Sequence, residues 1–164
     1  MIIAAPRPIV FSALSDYDNF SELSSRYLES RFVEPAADGT PRIYTEVEGC
    51  VLFFCRTVKR YARLSLYPTT TLIAIVEPEQ SDIEYGREQW LLQAVPGGTR
   101  VLYSHEMDPD FWVPPLIGVW AIRRALTEDA LTAAQRIEAL ALSNDVPASS
   151  DEQTDPAGRA ESVE

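Results

Sequence analysis

Few side chains in this sequence could do chemistry, and most of them sit on three extended stretches. Tyr103 and His105 alternate with Val101 and Met107 on one face of a stretch whose other face takes Leu102, Ser104 and Glu106. If the first set turns inward, a phenol and the chain's one imidazole stand on an apolar wall. Each then needs a partner, and a ligand oxygen is one candidate. If the second set turns inward, His105 is a surface residue. Arg56 falls between Phe54 and Val58 on one face of a second stretch. A buried guanidinium there demands a carboxylate, with Glu88 or Glu106 in reach, or the polar head of a ligand. Trp90 and Leu92 share a face on a third, otherwise charged stretch. Any proton transfer would have to be drawn from His105 or Tyr103 with Glu106 or Glu88.

Other chemistry finds little support. Cys50 and Cys55 are five apart, so along one continuous strand they point to opposite faces, which makes a disulfide awkward and leaves both as small apolar fillers. One histidine cannot build a His-rich metal centre, and Asp108 and Asp110 are too few for a calcium loop. Gly97-Gly98 fits a turn rather than a phosphate cradle. The expectation is no metal, no cofactor and no assigned catalytic residue.

The elements that position these residues follow from periodicity. Ile2–Ala5 reads as a short strand, 8–14 as a short helix opened by Pro8, and Asp16 as the cap of a second segment with Tyr17, Phe20, Leu23, Tyr27 and Leu28 at helical spacing. From Glu29 to Arg100 the period becomes two. Strands are expected at 31–34, at 42–58 with a bulge at Gly49, and at 61–67, 71–76, 84–94 and 99–107, with Pro96-Gly97-Gly98 as a hairpin turn. Turns this short make neighbouring strands antiparallel. A long helix beginning near Pro114 and Pro115 carries Val119, Ile122, Leu126, Ala130, Ala133, Ile137 and Leu140 in one stripe. It is the only element long enough to cover the sheet's apolar face.

The segment from Phe111 to Ile122 is apolar on more sides than a packed stripe requires. Phe111, Trp112, Val113, Leu116, Ile117, Val119, Trp120 and Ile122 either plug the core or form the mouth of a cavity. Trp112 and Trp120 with Arg123 and Arg124 could also touch an anionic membrane surface briefly.

The chain has 164 residues and a formal net charge of −11, which argues against nucleic acid as a partner because phosphate contacts need a cationic face. Residues 143–164 hold six acids against Arg159 alone and no aromatic residue. That composition predicts a disordered acidic tail after a single domain over 1–142. No stretch is long and apolar enough to span a bilayer, and no leader is visible, so the expected location is cytoplasmic, with a peripheral place at the inner membrane face as the alternative.

The order of strand, two short helices, antiparallel meander and long C-terminal helix resembles the helix-grip fold of the START-like (SRPBCC) superfamily, with its polyketide cyclase/dehydrase and coenzyme-Q-binding groups. Local sequence adds to the resemblance: Cys50-Val51-Leu52-Phe53-Phe54-Cys55-Arg56, Trp90, Gly98-Thr99-Arg100-Val101, and Asp110-Phe111-Trp112-Val113-Pro114-Pro115-Leu116-Ile117-Gly118. It implies an α+β domain in which a curved antiparallel sheet of six or seven strands wraps the long helix. It also implies an apolar cavity for a lipid, quinone or polyketide-like molecule. Candidate cavity residues are Phe54, Arg56, Trp90, Leu92, Tyr103, His105, Trp112, Leu116, Ile117 and Trp120. Two other readings stay open: a cyclase or dehydratase acting on a polyketide-like substrate, and a non-catalytic module that meets a protein partner through the apolar 111–122 segment.

Overall fold

The computed structural model describes residues 1–51, 54–110 and 118–144. The elements run β1 (Ile2–Ile3), α1 (Arg7–Ser15), α2 (Phe20–Leu23), β2 (Tyr27–Val33), β3 (Arg42–Val51), β4 (Phe54–Tyr67), β5 (Thr71–Val76), β6 (Ile83–Val95), β7 (Gly98–Pro109) and α3 (Gly118–Asn144). The seven strands form one antiparallel sheet in the order β1-β7-β6-β5-β4-β3-β2. Every consecutive pair from β2 to β7 is a neighbour, as short turns require. Between β6 and β7, Pro96-Gly97 makes a tight reversal in which Gly97 takes φ +82°, a conformation a side chain would strain.

One face of the sheet is buried. Ile43, Thr45, Arg60, Ala62, Leu64, Leu72, Ala74, Glu88, Trp90, Leu92, Thr99 and Val101 lie on it at alternate positions. Val10 and Leu14 of α1, Tyr17, and Phe20 and Leu23 of α2 close it at one end. The C-terminal half of α3 joins the same core through Ala134, Ile137 and Ala141. Polar contacts fix the helix there. Ser24 Oγ donates to Asp129, Arg136 donates to the Glu22 carbonyl, and the Ala4 amide donates to Glu138 Oε1 at 2.8 Å. Among the described residues, no helix is long and apolar enough to cross a membrane.

Three expectations need correction. The apolar stripe of α3 turns by one position near its end, so that Ala141 is buried while Leu140 is 44 % exposed. The second helix is a single turn, and Tyr27 and Leu28 open β2 instead. The largest correction concerns 42–58, which is not one strand. The chain reverses between Val51 and Phe54, and β3 runs through Gly49 without a bulge, pairing it with Arg56. The same register sets Cys50 directly across from Cys55, and Cys55 is disulfide-bonded. The opposite-faces argument holds only within one strand, so it does not apply across this hairpin.

Candidate functional site

Two cross-strand rows of polar residues stand on the buried face. On β2, β3 and β4 the row is Ser30, Thr45 and Arg60, paired in that order. On β6 and β7 Glu88 pairs with His105, and Trp90 with Tyr103. The short strand β5 lies between the rows, and Ala62 and Ala74 share the buried face with them. Arg60 Nη1 meets Glu88 Oε2 at 2.5 Å, and Arg60 Nε donates to Thr45 Oγ1 at 3.1 Å. The other carboxylate oxygen accepts from Trp90 Nε1 at 2.9 Å. The Trp90 ring lies 4.1 Å from that of Tyr103, whose hydroxyl is 3.0 Å from His105 Nδ1. The result is one connected chain from Thr45 to Trp90, joined by ring contact to the Tyr103–His105 pair.

Electrostatics keep the pair charged and its surroundings neutral. Burial opposes the charge on Glu88, but Arg60 outweighs it and the carboxyl is held below its ordinary value. Burial likewise opposes charge on Arg60, and Glu88 outweighs it, so the guanidinium stays protonated. Tyr17, Tyr27 and Tyr103 are all pushed up, first by desolvation and then by the negative charge of Glu88, so each remains a phenol. Desolvation pushes His105 down, with Glu88 opposing that shift, which favours the neutral imidazole. Among the described residues, two buried side-chain atoms have no hydrogen-bond partner, Ser30 Oγ and Arg60 Nη2.

The residues singled out from sequence fall into separate groups. Trp90, Leu92, Tyr103 and His105 share the buried face, with Tyr103 and His105 partly exposed. The inward alternative for 101–107 is therefore the observed one, and Leu102 faces out, 49 % exposed. Arg56 is exposed, near the end of the β3–β4 hairpin at which the chain reverses, and does not fill the buried place expected of it. Arg60 fills it instead, four residues further along the same strand face, and Glu88 is the partner rather than Glu106. Trp120 is 63 % exposed, with the Arg124 guanidinium 5.7 Å from its ring. Phe54 opens β4, but its side chain, like Trp112, Leu116 and Ile117, lies outside the described residues. Arg60, Thr45, Ser30, Tyr17 and Tyr27 were not anticipated. The run Val58, Arg60, Ala62, Leu64 carried the signal for Arg60: one cation in an otherwise apolar alternation.

A curved antiparallel sheet closed by short helices and a long C-terminal helix, with a polar centre on its buried face, defines the helix-grip class of START-like, hydrophobic-ligand-binding folds. Within that class, this chain belongs to the family described as polyketide cyclase / dehydrase and lipid transport, whose model matches residues 3–136. Solved structures agree on the fold. A START superfamily protein from Mycobacterium smegmatis is 16 % identical, with a TM-score of 0.68 over 85 % of this chain and 94 % of that one. The Zhui aromatase/cyclase from Streptomyces sp. R1128 is 12 % identical, with a TM-score of 0.63 over 87 % and 90 %. The di-domain ARO/CYC StfQ from the steffimycin biosynthetic pathway is 11 % identical, with a TM-score of 0.63 over 88 % of this chain and 50 % of that one. No curated protein matches the chain.

Proposed function

We propose that the protein binds and carries a hydrophobic small molecule, of lipid, quinone or polyketide-like character, between the sheet and α3. The observation that carries this reading is the buried Arg60–Glu88 pair with its unmet donor, set on a face otherwise lined by Leu64, Leu72, Ala74, Leu92 and Val101. A buried ion pair adds little stability over an apolar replacement, so a polar centre there calls for a use. Apolar burial supplies affinity, at about 25 cal/mol per Å² before ordering costs, and a few fixed polar groups set orientation. Trp90 and Leu92 form the wall beside the pair, and Tyr103 and His105 form the partly open side. Trp120, Arg123 and Arg124 are the exposed surface through which α3 would touch an anionic membrane briefly during loading.

The test is mass spectrometry of gently purified protein under native and then denaturing conditions. An organic molecule near one per chain, lost in Trp90→Asp protein that still folds, is the expected result. An empty protein that also takes up nothing from a lipid and quinone panel overturns the proposal.

A second reading has its own observation. Tyr103 and His105 form a hydrogen-bonded phenol–imidazole pair at the edge of the buried face, a unit able to pass a proton in a cyclisation or dehydration. Turnover of a poly-β-ketone surrogate that is abolished in His105→Gln, with binding retained, would favour the enzyme over the carrier.

A further inference from the structure

We propose that the outer edge of β7, from Tyr103 to Met107, docks an extended segment of a partner protein that carries lysine or arginine at alternate positions. The segment adds as an antiparallel strand in line with β1, and the inference stands apart from the ligand reading above. The edge exists because β1 is short: it pairs Ile2 with Arg100 and Ile3 with Thr99. Beyond them, the Met1 amino group donates to the Val101 carbonyl at 3.0 Å, and the Val101 amide donates to the Met1 carbonyl at 2.9 Å. Val101 therefore turns both backbone groups away from β6, and in an antiparallel ladder every second residue does the same. Tyr103, His105 and Met107 follow Val101 in that phase. Among the described residues, none of the three has a backbone partner on that side. Their N–H and C=O groups form the kind of row onto which a further strand adds.

Charge selects the occupant. The outward side chains along this edge are Ser104, Glu106 and Asp108, all exposed, and exposed Asp110 follows them. Arg87 lies across from Glu106 on β6 but donates to Gln89 Oε1 at 3.3 Å, and Tyr85 lies across from Asp108. A second copy pairing through the same edge would bring Glu106 and Asp108 beside the same carboxylates of the other copy, and like charges so placed oppose pairing. A strand with cations on the matching face meets those carboxylates instead, and the formal net charge of −11 steers it in. On the other face Tyr103, His105 and Met107 are half-buried, which suits apolar residues at the intervening positions of the incoming strand. Cation and aliphatic in turn is the pattern this edge reads.

The experiment follows amide hydrogen exchange of the full chain by NMR, alone and with a blocked peptide of alternating lysine and valine about nine residues long, the reach of one strand. In the protein alone the amides of Ser104 and Glu106, held by β6, should exchange slowly, and those of Tyr103, His105 and Met107 fast. The peptide should slow these three by about tenfold or more, and backbone N-methylation of its valines, whose N–H groups face β7 in this pairing, should weaken binding about tenfold or more. N-methylation of its lysines, whose N–H groups face away, should leave affinity in place. Glu106→Lys with Asp108→Lys changes exposed side chains only, and should exchange the preference for a peptide of alternating glutamate and valine. Slow exchange of the three edge amides in dilute protein alone means that another part of this chain covers the edge, and overturns the proposal. Slowing that grows with protein concentration, with a dimer mass in sedimentation, assigns the edge to a second copy and overturns it too. So does peptide binding indifferent to the methylated valines, which is charge attraction without strand pairing, or no binding at millimolar peptide.

Discussion

The same sheet carries two arginine–glutamate clusters, one on each face, and they obey different physics. On the outer face Arg42 and Arg63 are cross-strand neighbours, and Glu77 accepts from both, at 2.7 Å from Arg42 Nε and 2.9 Å from Arg63 Nε. Arg63 is about half exposed and also reaches Asp38. Glu77 holds two like charges side by side, and partial burial of its carboxyl is outweighed by hydrogen bonds from Arg63 and Arg42, which lower it below its ordinary value. That cluster explains itself as sheet repair in contact with water. On the inner face, Arg60 and Glu88 are almost fully desolvated and still leave one guanidinium nitrogen unmatched. Water and salt can replace an outer pair at little cost, whereas an inner pair can be neither screened nor lost singly. The contrast separates a pair that stabilises strands from one that, under the proposed function, is kept for what it can receive.

Halving the inner pair should have the largest effect. Arg60→Met strands an anionic carboxylate in the core and should cost about 3–5 kcal/mol in urea unfolding near neutral pH. Replacing both partners, Arg60→Met with Glu88→Leu, should recover most of that loss or exceed the parent, because two apolar residues suit the surroundings. The sign with pH is opposite in the two proteins. In the parent, Glu88 is held below its ordinary value, so its contribution is present above about pH 4.5 and is lost as pH falls further. In Arg60→Met the carboxyl loses its cation and burial raises it, so the penalty shrinks as acid protonates it. Unfolding curves that run parallel from neutral pH to pH 4 would sink the assignment of Glu88 as a buried anion.

Much of this architecture can be read from residue order alone, and the reasons for the exceptions are local. Alternation along 71–76, 84–94 and 99–107 gave β5, β6 and β7 nearly to their ends, because each is bounded by turn-forming residues and buries one face only. The turn between β3 and β4 was hidden because Leu52 and Phe53 offer no Gly, Pro, Asn or Asp to mark it. Without that reversal, Arg56 takes the place of Arg60 and the two cysteines point to opposite faces. Glu88 could be picked out as a partner because a carboxylate two residues from Trp90 shares its face. Arg60 is marked as one cation in an apolar alternation, but its pairing with Glu88 depends on β4 and β6 approaching each other over β5, a long-range fact. Tyr17 and Tyr27 looked like helix packing, and nothing in their spacing records that their hydroxyls sit near an ion pair.

A smaller effect is expected at the edge of the buried face. His105 is only partly buried, and desolvation lowers its affinity for a proton relative to the unfolded chain. The unfolded state then binds more protons below the ordinary value of 6.5, so stability is fully present above it and falls as pH drops below it. His105→Gln should flatten the unfolding midpoint between about pH 7.5 and about pH 5 without altering the alkaline value much. Its loss should also move the Tyr103 fluorescence environment, since the phenol and imidazole share a hydrogen bond. A variant whose acid slope equals that of the parent would place His105 in open water instead.

The smallest effect is expected on the outer face, and its salt dependence is the discriminating readout. Arg63→Ala removes one of two cations from Glu77 while leaving Arg42 at 2.6 Å from it, so the carboxylate keeps a partner. The substitution also relieves repulsion between the Arg42 and Arg63 guanidiniums across the strands. Those two changes oppose each other, and solvent screens both, so the unfolding midpoint should move little at low salt and not at all near 1 M salt, where the Debye length is about 3 Å. The Arg60→Met loss should persist undiminished in the same buffer, because ions do not reach the inner pair. If salt erased the Arg60 effect as completely as the Arg63 effect, the two clusters would be equivalent, and the inner one would have no claim to be a binding centre.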